Sequence, residues 1–168
     1  EISALSTGAS DFLYKPYSPV IVKKRLDNII SLSENASIAS DLQKDHLTGV
    51  YSEEVFCQKA ARILEENPSV EYAIVYSDIE NFGLIKDLFG ENAGNNILVY
   101  MARVFKHFIS KDELCGRLEA DHFVLFLKYN KEMLDENLES VVKIINDFPV
   151  SMNIMLRFGV YKIEDRAM

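Results

Sequence analysis

The chain has 168 residues, of which 48% are apolar and 26% are charged, a composition typical of a folded globular protein. Its formal net charge of −8 argues against a nucleic-acid partner, because a polyanion is repelled unless the protein offers a basic patch. The short basic run Lys23–Arg25 is expected on the exposed face of a helix. No segment approaches the roughly 18 apolar residues of a membrane span, so we expect no membrane partner.

Cysteine usage points to a reducing compartment. Cys57 and Cys115 are far apart and lack the spacing of a metal site. We interpret them as two buried free thiols, and we expect a cytoplasmic protein. Because the chain begins with Glu1 and ends shortly after a predicted strand, we also expect it to be a piece of a larger protein.

The first 45 residues predict a helix end, a short strand and a long helix. A helix is expected to end at Gly8, and a strand follows over Asp11–Tyr14. Ser18 and Pro19 are typical of a helix start, since they supply a cap and a first helical residue. The polar run 31–45 lacks proline and glycine, which predicts a surface helix or helical linker rather than a flexible tether or a weak coiled coil.

A second unit begins near Asp45. A helix is predicted from Ser52, and its inward residues are Val55, Phe56, Ala60, Ile63 and Leu64. The nearly continuous apolar run "EYAIVYSDI" predicts a buried central strand with a carboxylate, Asp78, at its end. A short helix is expected over 81–89 and a longer one over 91–109. The apolar side of the longer helix comprises Ile97, Leu98, Met101, Val104, Phe105 and Phe108.

The stretch "GRLEADHFVLFL" predicts a hairpin whose tip carries two carboxylates and an imidazole. A helix should follow, marked by Leu134, Leu138, Val141, Val142, Ile145 and Phe148. A half-buried strand is then indicated by the alternation of Met152, Ile154, Leu156, Phe158 and Val160. A hairpin among strands linked by helices predicts a mixed central sheet with helices packed on it, an α/β (α+β) fold.

Asp78 and Asp121 are the candidate metal ligands. Ligands gather beyond the ends of central strands, and the hairpin tip should lie beside the strand that Asp78 ends. Two converging carboxylates suit Mg²⁺, a hard cation that is also held by phosphates. From spacing alone, the alternative that both are solvated turn residues is favoured.

Residues 45–163 resemble a GGDEF domain, the nucleotidyl-cyclase-like fold of diguanylate cyclases. In the first block, "DHLTGVYSEEVF", the family motif is matched at Asp45, Leu47, Thr48, Gly49 and Phe56. In the second block, "DIENFGLIKDLFGENAGNNIL", it is matched at Asp78, Ile79, Phe82, Asp87, Gly90, Gly94 and Leu98. The third block, "RLEADHF", stands where the family has R-Y-G-G-D-E-F, with Arg117 and Phe123 retained.

The resemblance implies a metal site that survives. Asp78, the Ile79 carbonyl and Asp121 occupy the positions of the family's Mg²⁺ ligands, and Asp121 would be the catalytic acid of an active cyclase. It also implies a nucleotide site that has changed. Glu119 and Ala120 replace the two glycines that let the hairpin close over the GTP phosphates, and His122 replaces the second hairpin acid.

Base recognition and feedback depart from the family as well. Lys86 stands in place of the guanine-reading Asn, beside the matched Asp87, and Asn95 stands in place of the guanine-reading Asp. Guanine's N1–H and N2–H₂ need acceptors. Lys86 offers only donors, whereas Asn95 keeps a carbonyl acceptor but loses the charge. A phosphate-side Lys is Gly83 here, and the His after Gly90 is Glu91. The product-inhibition motif R-x-x-D would start at Ser110, so its arginine is missing.

Residues 1–34 resemble the C-terminal end of a response-regulator receiver domain. The features shared with receivers are Gly8-Ala9, Asp11-Phe12-Leu13, Lys15-Pro16 and the helix after Pro19. The resemblance implies a phosphoryl-contacting role for Lys15, a cis bond before Pro16, and a histidine kinase upstream. An ordinary helix–strand–helix adaptor is the alternative. The domains expected are the receiver fragment (1–34), a helical linker (35–44) and a degenerate GGDEF-like domain (45–168) that lacks the family's last helix and strand.

Three functions follow as hypotheses. The first is a non-catalytic signalling module that dimerises or regulates an attached output domain, such as an EAL-type phosphodiesterase. The second is an active diguanylate cyclase that condenses two GTP to cyclic di-GMP across a homodimer. The third is a sensor that binds GTP without turnover. Simultaneous loss of the glycine pair, the base-reading residues and the feedback arginine favours the first.

Overall fold

A computed structural model describes residues 23–24, 43–150 and 153–164 of the chain. Lys23 and Lys24 are helical and exposed, as expected. The remaining elements predicted before residue 43, including the receiver residues Lys15 and Pro16, lie outside the described residues. The fold below is that of the unit Gln43–Met168.

The fold has one sheet of five strands, and helices connect most of these strands along the chain. In chain order the elements are β1 (Tyr51–Ser52), α1 (Glu53–Glu66), β2 (Tyr72–Ile79), α2 (Phe82–Phe89), α3 (Glu91–Phe108), β3 (Leu114–Arg117), β4 (Phe123–Lys128), α4 (Lys131–Asn146) and β5 (Leu156–Lys162). The strands lie in the order β1-β3-β4-β2-β5. Strands β1 and β3 are parallel and the other pairs antiparallel, so the predicted mixed sheet is confirmed.

Helix α1 covers one face of the sheet. Ser52 has the extended backbone of an N-cap, and Glu53 and Glu54 lie in the first turn, where negative charge favours the positive end of the helix. Phe56 points inward and packs so closely on β3 that a side chain at Gly116 would meet its ring at 2.8 Å. The prediction that Cys57 is buried is wrong. Successive helical residues are turned by about 100°, so the residue after an inward Phe56 faces solvent.

The opposite face carries the larger core. The predicted apolar side of α3 is confirmed, because Ile97, Leu98, Met101, Val104 and Phe105 are all buried. Phe105 reaches the sheet, with its ring centroid 5.3 Å from that of Phe123 on β4. Strand β2 is buried on both faces, since Val75 belongs to this core and Tyr72 to the core under α1. This explains why its sequence is apolar without alternation.

The last helix and strand differ in detail from the prediction. Helix α4 is capped by the Asn130 side chain, which accepts a hydrogen bond from the Met133 N–H at 3.1 Å, and it ends before Phe148. Strand β5 starts at Leu156 rather than Met152. One reason is that the Ile154 N–H donates to the Asn146 side chain at 2.9 Å instead of joining a strand.

Strand β5 lies at the edge of the sheet. Of its predicted inward residues, Leu156 and Phe158 are half-buried, but Val160 is exposed. An edge strand has a neighbour on one side alone, and therefore its apolar side chains are covered less than those of β2. Within the described ranges, no helix has both the length and the apolar character needed to cross a membrane.

Candidate nucleotide and metal site

The hairpin tip lies at the end of the central strand. Strand β4 pairs with β2 in antiparallel register, with Phe123 opposite Ser77, which places residues 118–122 beside the end of β2. The Asp121 carboxylate is buried there, and its Oδ2 accepts a hydrogen bond from the Ile79 N–H at 2.8 Å. The structure thus brings Asp121 against the residue that follows Asp78, as the hairpin prediction required.

Asp78 is held by a residue that the sequence did not single out. Arg157 on β5 is its direct cross-strand partner. The Arg157 Nε donates to Asp78 Oδ1 at 3.2 Å and its Nη2 donates to Oδ2 at 2.8 Å, so each carboxylate oxygen accepts one hydrogen bond from this guanidinium. The sequence did contain a signal, since Arg157 is the one charged residue in the apolar alternation of "MNIMLRFGV". The strand register that places it opposite Asp78, however, is a feature of the tertiary structure.

Negative charge gathers around Tyr76, one pleat before Asp78 on the same face of β2. Burial raises the pKa of the Tyr76 phenol, and the charges of Asp78, Asp121 and Glu119 raise it further. The His122 ring lies nearby, with its centroid 5.3 Å from that of Tyr76. The Arg157 charge opposes this rise in the Tyr76 pKa. Glu119 thus adds a carboxylate at a position where the resemblance implies glycine beside the nucleotide phosphates.

The backbone of the tip keeps a shape that suits glycine. Ala120 has φ 48°, in the left-handed region that non-glycine residues rarely adopt. Its carbonyl oxygen accepts two hydrogen bonds from Arg117, from Nε at 2.9 Å and from Nη2 at 2.5 Å. Glu119 is exposed, and its carbonyl accepts from the His122 N–H at 2.8 Å, which closes the turn.

Arg117 also connects the tip to the start of the domain. Its Nη1 donates to Asp45 Oδ1 at 3.0 Å, and the same oxygen accepts from the N–H and hydroxyl of Thr48 at 2.8 and 2.5 Å. Partial burial would raise the pKa of Asp45, but the Thr48 hydrogen bonds and the Arg117 guanidinium outweigh it and hold that pKa below its ordinary value. The first motif block is therefore connected to the hairpin tip through Asp45 and Arg117.

The residues at the base-reading positions lie on α2 and α3. Lys86 Nζ is 3.3 Å from Glu91 Oε1, and its stem crosses Gly94 so closely that a side chain there would meet Lys86 Cγ at 2.7 Å. Asn95 is half-buried on α3, and Asp87 is exposed on α2. At the Lys86 position the chain offers guanine an ammonium group paired with a carboxylate, so the acceptor at the base-reading positions is the Asn95 amide oxygen.

The residues at the position of the feedback motif, Ser110 and Glu113, form hydrogen bonds within the chain. Glu113 Oε2 accepts from the N–H and the hydroxyl of Ser110, each at 2.7 Å. Its Oε1 accepts from the Lys128 N–H at 2.9 Å. The acid that matches the end of the family motif is thus bonded within the chain.

The implied Mg²⁺ does not fit the side chains as they are arranged. Mg²⁺ requires near-octahedral oxygen ligands. Both Asp78 oxygens accept from Arg157, and one Asp121 oxygen accepts from Ile79. In the parts of the chain that the structure describes, no three His, Cys, Asp or Glu side chains come together in an arrangement that could hold a metal ion.

Similar proteins share both sequence and architecture with this unit. A diguanylate cyclase of Vibrio cholerae is 39% identical over 51 residues, which is 30% of this chain and 16% of that protein. Diguanylate cyclase DgcP of Escherichia coli is 28% identical over 103 residues, covering 60% of this chain and 30% of its own. Cyclic di-GMP phosphodiesterase PdeB of Shewanella oneidensis is 24% identical over 65% of this chain and 15% of its own. This chain therefore spans less than a third of the length of these relatives.

Solved structures establish the fold. The coiled coil and GGDEF domain of DgcB from Caulobacter crescentus, in complex with c-di-GMP, superposes with a TM-score of 0.76 at 16% identity, over 86% of this chain and 82% of that one. Vibrio cholerae LapD S helix-GGDEF-EAL, bound to c-di-GMP, gives a TM-score of 0.68 at 16% identity, over 83% of this chain and 34% of that one. The family model described as "Diguanylate cyclase, GGDEF domain" matches residues 42–164. This match covers most of the chain, and the protein belongs to the GGDEF domain family.

Proposed function

We propose that this chain is a cyclic di-GMP signalling module of the GGDEF family that does not turn over GTP and instead regulates an attached or partner output. The observation that carries the proposal is the hairpin tip, where Glu119 and Ala120 stand in place of the family's two glycines and Ala120 has φ 48°. A nucleotide triphosphate bound there would meet the Glu119 carboxylate and the Ala120 Cβ where the family has glycine.

Charge repulsion at the tip is large enough to matter for binding. Two like charges 4 Å apart repel by about 1 kcal/mol in bulk water and about 4 kcal/mol at a surface-like effective dielectric. Glu119 is exposed, so screening by solvent moves its contribution toward the smaller value. Since each 1.4 kcal/mol is about tenfold in affinity, Glu119 alone weakens phosphate binding by between about fivefold and a thousandfold.

The base-reading corner supports the same proposal. Lys86 cannot accept hydrogen bonds from guanine, and its ammonium group is paired with Glu91. Ser110 stands where the feedback arginine would bind the dinucleotide product, and its own hydrogen bonds go to Glu113. Substrate phosphates, substrate base and product phosphates therefore each lack a partner that the family supplies.

The assembly that we propose rests on resemblance. The segment 1–34 would act as part of a receiver that a histidine kinase controls, and residues 35–44 would carry its signal to the GGDEF domain in a cytoplasmic homodimer. An EAL-type domain is the output that we favour. Support comes from LapD, a chain with GGDEF and EAL parts, and from PdeB, a protein named as a cyclic di-GMP phosphodiesterase.

A turnover assay tests the proposal. The purified chain is incubated with GTP and Mg²⁺, and cyclic di-GMP is quantified by chromatography. We expect no product. Product formation that disappears in Asp121→Ala would refute the proposal and establish an active cyclase.

A second candidate, the active cyclase, is favoured by the contact of Asp121 with Ile79 beside Asp78. In that case Arg157 would have to release Asp78, so that Asp78, the Ile79 carbonyl and Asp121 could hold Mg²⁺. A GTP sensor without turnover differs from both, because calorimetric titration with GTP and Mg²⁺ would then give micromolar affinity without product. We expect no such binding.

A further inference from the structure

We infer that the Arg157 guanidinium takes the place of a divalent metal ion at Asp78. The cleft formed by Asp78, Ile79 and Asp121 therefore binds no metal ion unless the guanidinium leaves. Arg157 and Asp78 are directly opposite each other on the paired strands β5 and β2. Their positions are therefore fixed by the sheet rather than by chance contact of two long side chains.

The Arg157 guanidinium and the Asp78 carboxylate form a bidentate ion pair. Two donors on Arg157 reach the two oxygens of Asp78, at 3.2 and 2.8 Å. The Asp78 side chain is 19% exposed, whereas Arg157 is 63% exposed. The carboxylate is thus largely sheltered, and the guanidinium that contacts it is the more exposed member of the pair.

Asp121, the second acid of the cleft, also accepts a hydrogen bond within the chain. Asp121 is buried, and one of its oxygens accepts the Ile79 N–H at 2.8 Å. A divalent cation that binds Asp78 would compete with the Arg157 guanidinium for the lone pairs of the same two oxygens. It would then lie beside a guanidinium of like charge, which opposes its binding further.

An ordinary exposed ion pair would not have this consequence. Arg62 and Glu66 on α1 form such a pair, with side chains 77% and 56% exposed, and neither lies near the hairpin acids. Exposed pairs of this kind contribute little and are easily replaced by solvent or ions. The Arg157–Asp78 pair differs because its acid is sheltered and belongs to the cleft, and Arg62 therefore provides a matched control.

The experiment measures metal binding in the absence of nucleotide, so it is separate from the test of GTP turnover. Mn²⁺, which also reports on Mg²⁺ sites, is titrated into the full chain and followed by electron paramagnetic resonance. We expect Arg157→Gln to bind Mn²⁺ at least roughly tenfold tighter than the native chain. Adding Asp78→Asn to that variant should remove the gain, and Arg62→Gln should show none.

Three results would overturn the inference: a native chain that binds Mn²⁺ as tightly as folded Arg157→Gln, an equal gain in Arg62→Gln, or a gain that survives Asp78→Asn. A measurement on the native chain guards against misfolding of the variant. The Arg157 Nε–H resonance should keep its chemical shift when Mg²⁺ is added at physiological concentration. A saturable shift of that resonance would show that metal displaces the guanidinium, and would refute the inference.

Discussion

Replacing Ala120 with glycine should stabilise the protein, an unusual outcome for a change from alanine to glycine. Ala120 has φ 48°, and a left-handed backbone costs a non-glycine residue about 1–2 kcal/mol. Glycine adds freedom to the unfolded chain worth about 0.4–1 kcal/mol, which offsets part of the gain. The two hydrogen bonds from Arg117 go to the carbonyl of residue 120 and are retained. The net expectation is a rise of about 0.5–1 kcal/mol in the free energy of unfolding.

Ala61→Gly is the matched control, because Ala61 is exposed in the interior of α1 and undergoes the same chemical change. Glycine in a helix interior costs about 1 kcal/mol relative to alanine. Urea unfolding followed by circular dichroism should therefore separate the two variants by about 1.5–2 kcal/mol, with Ala120→Gly the more stable. If Ala120→Gly loses as much stability as Ala61→Gly, the tip does not impose a left-handed conformation and the argument fails.

Three further predictions concern the tip, the thiols and acid sensitivity. Combining Glu119→Gly with Ala120→Gly should raise GTP affinity in calorimetry if charge and the added Cβ are the main obstacles, and no rise would assign the loss to the base-reading corner. In native protein a thiol reagent should titrate exposed Cys57 alone, whereas buried Cys115, whose pKa burial raises to about 12, should react only in urea; labelling of both without denaturant would contradict this. Because the pKa of Asp45 is lower when folded than its ordinary value of 3.8, its contribution to stability is complete above that value and is lost as pH falls further, through the folded pKa. The stability difference between the native chain and Asp45→Asn should therefore be constant near neutrality and shrink below about pH 4, and a difference that does not change in acid would refute the linkage.

The sequence was sufficient for the architecture because the patterns that define it are local. The apolar run of β2 and the apolar stripe of α3 follow from side chains that are buried repeatedly along each element. Both elements are confirmed, with ends shifted by a residue or two. The start of β5 was less predictable. Its apolar alternation continues back through Ile154, but a hydrogen bond to Asn146 on another element ends the strand pattern.

The site was predictable only in part because its chemistry depends on register and rotation. The place of the hairpin beside β2 followed from the order of elements, and Asp121 lies where that order indicated. Arg157 was missed because its partner is 79 residues away and only strand pairing brings them together. Cys57 was misjudged because the usual burial of cysteine outweighed a helical phase that Phe56 already fixed.

Four polar side chains at the family's ligand positions, those of Asp78, Lys86, Glu113 and Asp121, have bonds within the chain. Glu113 accepts hydrogen bonds from Ser110, and Lys86 pairs with Glu91. The two ion pairs, Lys86–Glu91 and Asp78–Arg157, differ in how easily a ligand could displace them. The Lys86–Glu91 pair is long and exposed, so a ligand could displace it at small cost, and its effect on guanine comes from donor chemistry rather than from pairing. The pair between Asp78 and Arg157 is bidentate, and its acid is sheltered. A ligand or metal ion that needs this acid must compete with a cation held in place by the sheet, and this makes Arg157 the residue whose replacement tells most about what the cleft can bind.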